Sequence, residues 1–105
     1  MFKAKFNFVG MDGSRFYSIT KAAFEAAMLA TIDACNMKSY TSDGVQKRGS
    51  NGELFIFVPG HMESATYGSL RILAKADTWY CLVVKPSCKH AAKKARKRFG
   101  VQLID

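Results

Sequence analysis

Seven of the sixteen lysine and arginine residues in this 105-residue chain fall between Lys85 and Arg98: Lys85, Lys89, Lys93, Lys94, Arg96, Lys97 and Arg98. No aspartate or glutamate interrupts them. The rest of the sequence carries nine basic and eight acidic side chains, so nearly all of the net charge of +8 sits in one short segment. A near-neutral body with its positive charge gathered in one place suits a localised anionic partner. Solubility alone is served by interspersed signs.

The segment is expected to be a helix over residues 87–99. Pro86 closes the preceding apolar run, Ser87 is a candidate N-cap, and Gly100 stands where a helix commonly ends. At about 100° per residue, Cys88, Ala91, Ala92, Ala95 and Phe99 share an inward seam. Lys89, Lys93, Arg96 and Lys97 cluster on the opposite side, flanked by His90, Lys94 and Arg98. The pairs Lys89–Lys93, Lys93–Lys97 and Lys94–Arg98 are like-charged at i,i+4, each costing a few tenths of a kcal/mol in isolation. The helix dipole favours cations in the last turn only and leaves Lys89 unexplained. A polyanion offsets that repulsion. Lys47 and Arg48, in a long polar hairpin loop, are secondary candidates for the same contact.

Catalytic chemistry finds little support. His61 and His90 are the only histidines, and neither has an acid or cysteine at metal-ligand spacing; Glu63 after His61 does not complete a zinc motif. "GSNGE" lacks the Lys-Ser/Thr ending of a phosphate-binding loop. A helix N-terminus beside Lys89 would activate Cys88, although its place on the alanine seam favours a buried inert thiol. No cofactor, metal or enzymatic activity is expected. The three cysteines, Cys35, Cys81 and Cys88, are an odd number without paired spacing, which fits reduced thiols in cytoplasm.

The elements that must position these residues form one domain over 1–105. A composition 49% hydrophobic and 23% charged supports a folded core. No run approaches the roughly 18 apolar residues of a membrane span, and "MFKAKFNFVG" alternates without a cleavage site, unlike a secretory signal. Residues 2–9 alternate as a half-buried strand, Phe2, Phe6 and Phe8 against Lys3, Lys5 and Asn7. "GMDGS" is a turn and "RFYSI" a short return strand or a loop. Residues 20–36 form an unusually apolar helix, with Ser18 or Thr20 as N-cap, that needs cover on most sides. Residues 53–58 are a strand with Leu54, Ile56 and Val58 on one face and Phe55 and Phe57 on the other. In "GHMESATYGSLRILAKA", Met62, Ala65, Leu70, Leu73 and Ala76 roughly follow helical spacing, weakened by Gly68. "TWYCLVVK" is a buried strand, and "VQLID" can add an edge strand. The expected fold class is α+β, a mainly antiparallel sheet with helices packed on one face. A ferredoxin-like β(β)αββαβ order plus the C-terminal basic helix fits it.

If Phe6 and Phe8 face the core with Leu54, Ile56 and Val58, then Lys3, Lys5 and Asn7 share the other face with Phe55 and Phe57. Such a cationic and aromatic surface can hold single strands. Here the element order and rings resemble the RNA-recognition motif family: Phe55, Phe57 and Val58 match its third strand and Phe6 its first. Glu53, Leu54 and Gly60 depart from it. The stretch "KPSCKHAAKKARK" is similar to the last helix of double-stranded RNA-binding domains, with Ala92 where that family has lysine. The chain is assigned to neither. The competing arrangement, which weighs more, packs the basic helix over this face and buries Phe55 and Phe57.

The partner expected is RNA or DNA, gripped through phosphates with low sequence specificity because no base-reading set of Asn, Gln and Arg is visible. The rival is a phage-type inhibitor or adaptor that binds a host nucleic-acid-processing complex through an acidic or nucleic-acid-mimicking protein surface. Helix 20–36 would then supply an apolar contact or self-association. No membrane partner is expected.

Overall fold

The computed structural model describes residues 1–34, 46–48, 54–58, 61–75 and 78–105, with the backbone alone for 32–34, 46–48, 54–58 and 61–63. The described elements run β1 (Phe2–Val9), β2 (Arg15–Ile19), α1 (Lys21–Ala34), β3 (Gln46–Arg48), β4 (Leu54–Val58), β5 (His61–Tyr67), β6 (Leu70–Lys75), β7 (Trp79–Val84), α2 (Ala91–Phe99) and β8 (Val101–Ile104). The strands join one sheet in the order β3-β4-β5-β6-β7-β2-β1-β8. All neighbours are antiparallel except β1 and β8, which run parallel. The fold is α+β, as the alternation of short strands with two apolar-faced helices implies. It is not interleaved in the ferredoxin-like manner. β1 and β2 form a hairpin, β3 to β7 a meander, and the chain closes on a strand after the basic helix. No described helix is long and apolar enough to cross a membrane.

Both helices cover one side of the sheet. Their core contains Ala4, Tyr17, Ile19, Leu70, Ile72, Leu82 and Val84 from the strands, with Ala23, Phe24, Ala27, Met28, Ala95 and Phe99 from the helices. Thr20 is the N-cap of α1, its Oγ1 accepting the Ala23 N–H at 3.1 Å. Cover on most sides, expected from composition, is not what α1 has. Ala22, Ala26, Leu29 and Ala30 are exposed, Leu29 at 54%. Alanine tolerates water well enough that one buried face suffices.

Residues 61–75 are a hairpin, not a helix. The run "LRILAK" alternates at strand period, with Leu70, Ile72 and Ala74 buried. Gly68, at φ +59°, supplies the left-handed turn that a side chain would resist. The helix-like spacing of Met62, Ala65, Leu70 and Leu73 skips across this turn.

β1 also departs from simple alternation. Phe2, Phe6 and Phe8 are not core residues; they are 41%, 36% and 42% exposed, and Ala4 is the buried position. The pairing with β2 slips between Phe6 and Phe8. This bulge leaves Phe6 opposite Tyr17, on the helix side, and turns Phe8 to the face of Phe16.

Candidate nucleic-acid interface

The basic helix is shorter than its sequence suggests. α2 begins at Ala91, and residues 86–90 form turns and bends. Ser87 therefore does not cap it. His90 occupies the N-cap position in the left-handed conformation (φ 58°, ψ 42°), with no side-chain cap, and its carbonyl accepts the Lys94 N–H at 3.0 Å. Gly100 closes the helix as expected, donating to the Ala95 and Arg96 carbonyls. Ala95 and Phe99 are buried and fix which side of α2 meets the core. Ala92, placed on the inward seam by its spacing, is exposed.

This docking sorts the predicted cations. His90, Lys93, Lys94, Lys97 and Arg98 line one recess of about 290 Å³ together with Tyr67, from the end of β5. They recur every three or four residues, so they form one stripe beside the buried seam. Arg98 lies over the Tyr67 ring, 4.4 Å from its centroid, a cation–π contact that fixes the recess wall. Arg96 is exposed but not part of the recess, and Lys89 lies in the bend before the helix. Lys85 is engaged elsewhere, its Nζ 3.3 Å from Asp12 Oδ2. The Ser14 backbone N–H and hydroxyl also donate to Asp12, and with Lys85 they hold its carboxyl down at about 2.

The side chains of Lys47, Arg48, Phe55 and Phe57 lie outside the described residues, as do those of Leu54, Ile56, Val58, His61 and Glu63, and so does Cys35. On the backbone, Lys47 pairs with Phe55 within the sheet, so Lys47 and Arg48 belong to β3 and not to a loop tip. Lys3 and Lys5 are exposed.

Lys5 pairs with Ser18 and, beyond the bulge, Phe8 with Phe16; Ser18 and Phe16 pair in turn with Cys81 and Val83 of β7. These positions share the sheet face opposite the helices, so the basic helix does not pack over it. Phe8 and Phe16 stack there at 4.5 Å and 6°. Trp79 lies 6.0 Å from Phe8 and 6.3 Å from Phe16, within 28° of both planes. The Trp79 Nε1 and the Asn7 Nδ2 both donate to Ser18 Oγ, at 3.4 and 3.1 Å.

Cys88 lies two residues before the N-cap of α2, half-buried against the core, with its Sγ 3.8 Å from the Lys89 carbonyl oxygen. Burial pushes the Cys81 thiol up to about 11 despite Lys75 and Arg71 nearby. No group of three metal-ligating side chains occurs among the described residues.

The chain matches no protein-family model, no curated protein and no solved structure.

Proposed function

We propose that the protein binds nucleic acid through its phosphates, using the cationic stripe of α2, with low sequence specificity. The supporting observation is the convergence of Lys93, Lys94, Lys97 and Arg98 with His90 on one recess. Four permanent cations around a shared space repel one another, and a phosphate diester backbone relieves that repulsion while releasing counterions. Lys89 and Arg96 extend the contact. The reading is of a cytoplasmic binding protein with reduced thiols and no catalytic activity.

The test is fluorescence anisotropy with short RNA and DNA at two salt concentrations. With about four phosphates neutralised, affinity falls on the order of a hundredfold between about 50 and 200 mM salt. The triple variant Lys93→Gln, Lys94→Gln, Lys97→Gln binds more weakly, with a salt slope smaller by about 2.7. Absence of binding at the lower salt overturns the reading.

One observation favours the second reading, an adaptor or inhibitor seated on a nucleic-acid-processing protein. Phe2, Phe6, Val9 and Met11 are exposed at 41%, 36%, 52% and 108% near the sheet edge, more apolar surface than a phosphate grip uses. In that case the stripe on α2 meets carboxylates instead of phosphates.

A further inference from the structure

We propose that the sheet face opposite the two described helices stacks unpaired bases, so that the preferred ligand is single-stranded nucleic acid. This rests on the nucleic-acid reading above and names its substrate class.

The three rings of Phe8, Phe16 and Trp79 are held in near-parallel planes by identifiable local features. The bulge in β1 brings Phe8 to this face, and Ser18 holds the indole by its Nε1. Gly10 leaves room for the stack: a Cβ there would stand 2.9 Å from Phe16 Cε1. Rings gathered only for burial would be covered, yet Phe8 is 42% exposed, and no described helix packs on this side. A shingled set with its outermost ring in water is completed by one more flat ring. Every nucleobase offers a π-face, so the contact is indifferent to sequence.

Charge on the same face specifies the rest of the ligand. Lys3 and Lys5 of β1 share it on one side of the rings, and Lys75, paired with Trp79, on the other. β1 and β6 lie three strand spacings apart, about 14 Å. β1, β2, β6 and β7 contain no aspartate or glutamate. Phe16 also walls a recess of about 320 Å³ with Thr66, Arg71, Val83 and the paired Asp12 and Lys85, whose charges offset each other. Arg71 donates from Nη2 to Ser64 at 3.3 Å, while its buried Nε has no acceptor among the described residues. An exposed outer ring, flanking ammonium groups and a guanidinium Nε without an acceptor among the described residues match a strand that presents bases and phosphates together. A duplex hides its base faces inside its own stack and cannot use the rings.

Trp79 is the only tryptophan of the chain, so its emission reports on this face alone. The intact protein is titrated at about 50 mM salt with a single-stranded oligothymidylate, a blunt duplex of equal length and inorganic polyphosphate. The single strand is expected to quench Trp79, while duplex and polyphosphate bind without quenching. Phe8→Ala should weaken the single strand about tenfold and leave polyphosphate binding unchanged. Phe8→Leu, which keeps the apolar volume and removes the π-face, should do the same if Phe8→Ala fails to fold. Equal affinity in the Phe8 variants, or a Trp79 response that polyphosphate reproduces, overturns base stacking and leaves the α2 grip standing. If none of the three probes binds, the nucleic-acid reading falls, and the exposed rings become a protein-docking surface.

Discussion

The α2 stripe and the sheet face opposite the described helices carry charge of the same sign but are assembled in opposite ways. The stripe is contiguous in sequence: five side chains within nine residues, lined up by one helix and turned outward by two buried anchors, Ala95 and Phe99. The ring cluster draws Phe8, Phe16 and Trp79 from three strands and needs a bulge to align them. The first is a charge device that survives loose geometry. The second depends on positions held to a fraction of an ångström, so the two should fail differently when the structure is disturbed.

The largest expected effect comes from removing the anchor of the stripe. Phe99 is 2% exposed, and Phe99→Ala should cost about 3–5 kcal/mol, read from the midpoint of chemical denaturation. The comparison sharpens if the variant remains folded without denaturant: polyphosphate binding should drop as α2 loosens, while Trp79 emission stays that of the wild type. A simultaneous change at Trp79 would mean that the two regions form one cooperative unit.

The ring cluster is broken from its own side by Gly10→Ala. The added methyl meets Phe16, which is held by its stack on Phe8 and has little freedom to yield. A destabilisation of about 1–3 kcal/mol is expected. It should come with a shifted Trp79 emission and an unaltered salt dependence of polyphosphate binding, the reverse of the Phe99→Ala pattern.

The same contrast explains what could be read in the sequence. A run such as "KHAAKKARKRFG" announces a cationic helix because charge and helical period both lie in adjacent residues. Its start is not legible, because the left-handed turn at His90 has no residue signature and Ser87 is of a cap-forming type. α1, its Thr20 cap and the strand 79–84 were legible for similarly local reasons. The rings were not. Alternation in "FKAKFNFV" puts Phe6 and Phe8 on one face, and only the slip in register, set by pairing with β2, separates them. Tyr67 carries no such signal, because helix-like spacing across Gly68 masks the β5–β6 turn, and with it the far wall of the α2 recess. The sheet order could not be read either, since nothing local says that β8 returns to the side of β1.

His90 offers a smaller and opposite effect. An L-residue held at φ 58° carries a conformational cost of about 1–2 kcal/mol that glycine does not pay. His90→Gly should raise stability by about 1 kcal/mol and lower affinity for polyphosphate slightly through loss of a recess-lining ring. Higher stability with unchanged affinity would remove His90 from the site and leave the lysines as its working part.

The mildest test uses acid, because the two regions differ in their carboxylates. α2 contains none, whereas the turn joining Phe8 to Phe16 holds Asp12, bonded to Ser14 and to Lys85 at the end of β7. The Asp12 carboxyl is lowered from 3.8 to about 2 on folding, so between those values the unfolded chain binds the proton more readily than the folded one. Its contribution to stability is complete above about pH 4 and is lost as pH falls toward 2. Asp105, lowered by Tyr17 and Arg15, adds a dependence of the same sign. Asp12→Asn should therefore flatten, without abolishing, the decline of melting temperature over that range. In the wild type the Trp79 emission should drift ahead of global unfolding, because the turn that sets the register of the rings loosens first. A drift that is identical in Asp12→Asn would show that this turn does not hold the rings in place.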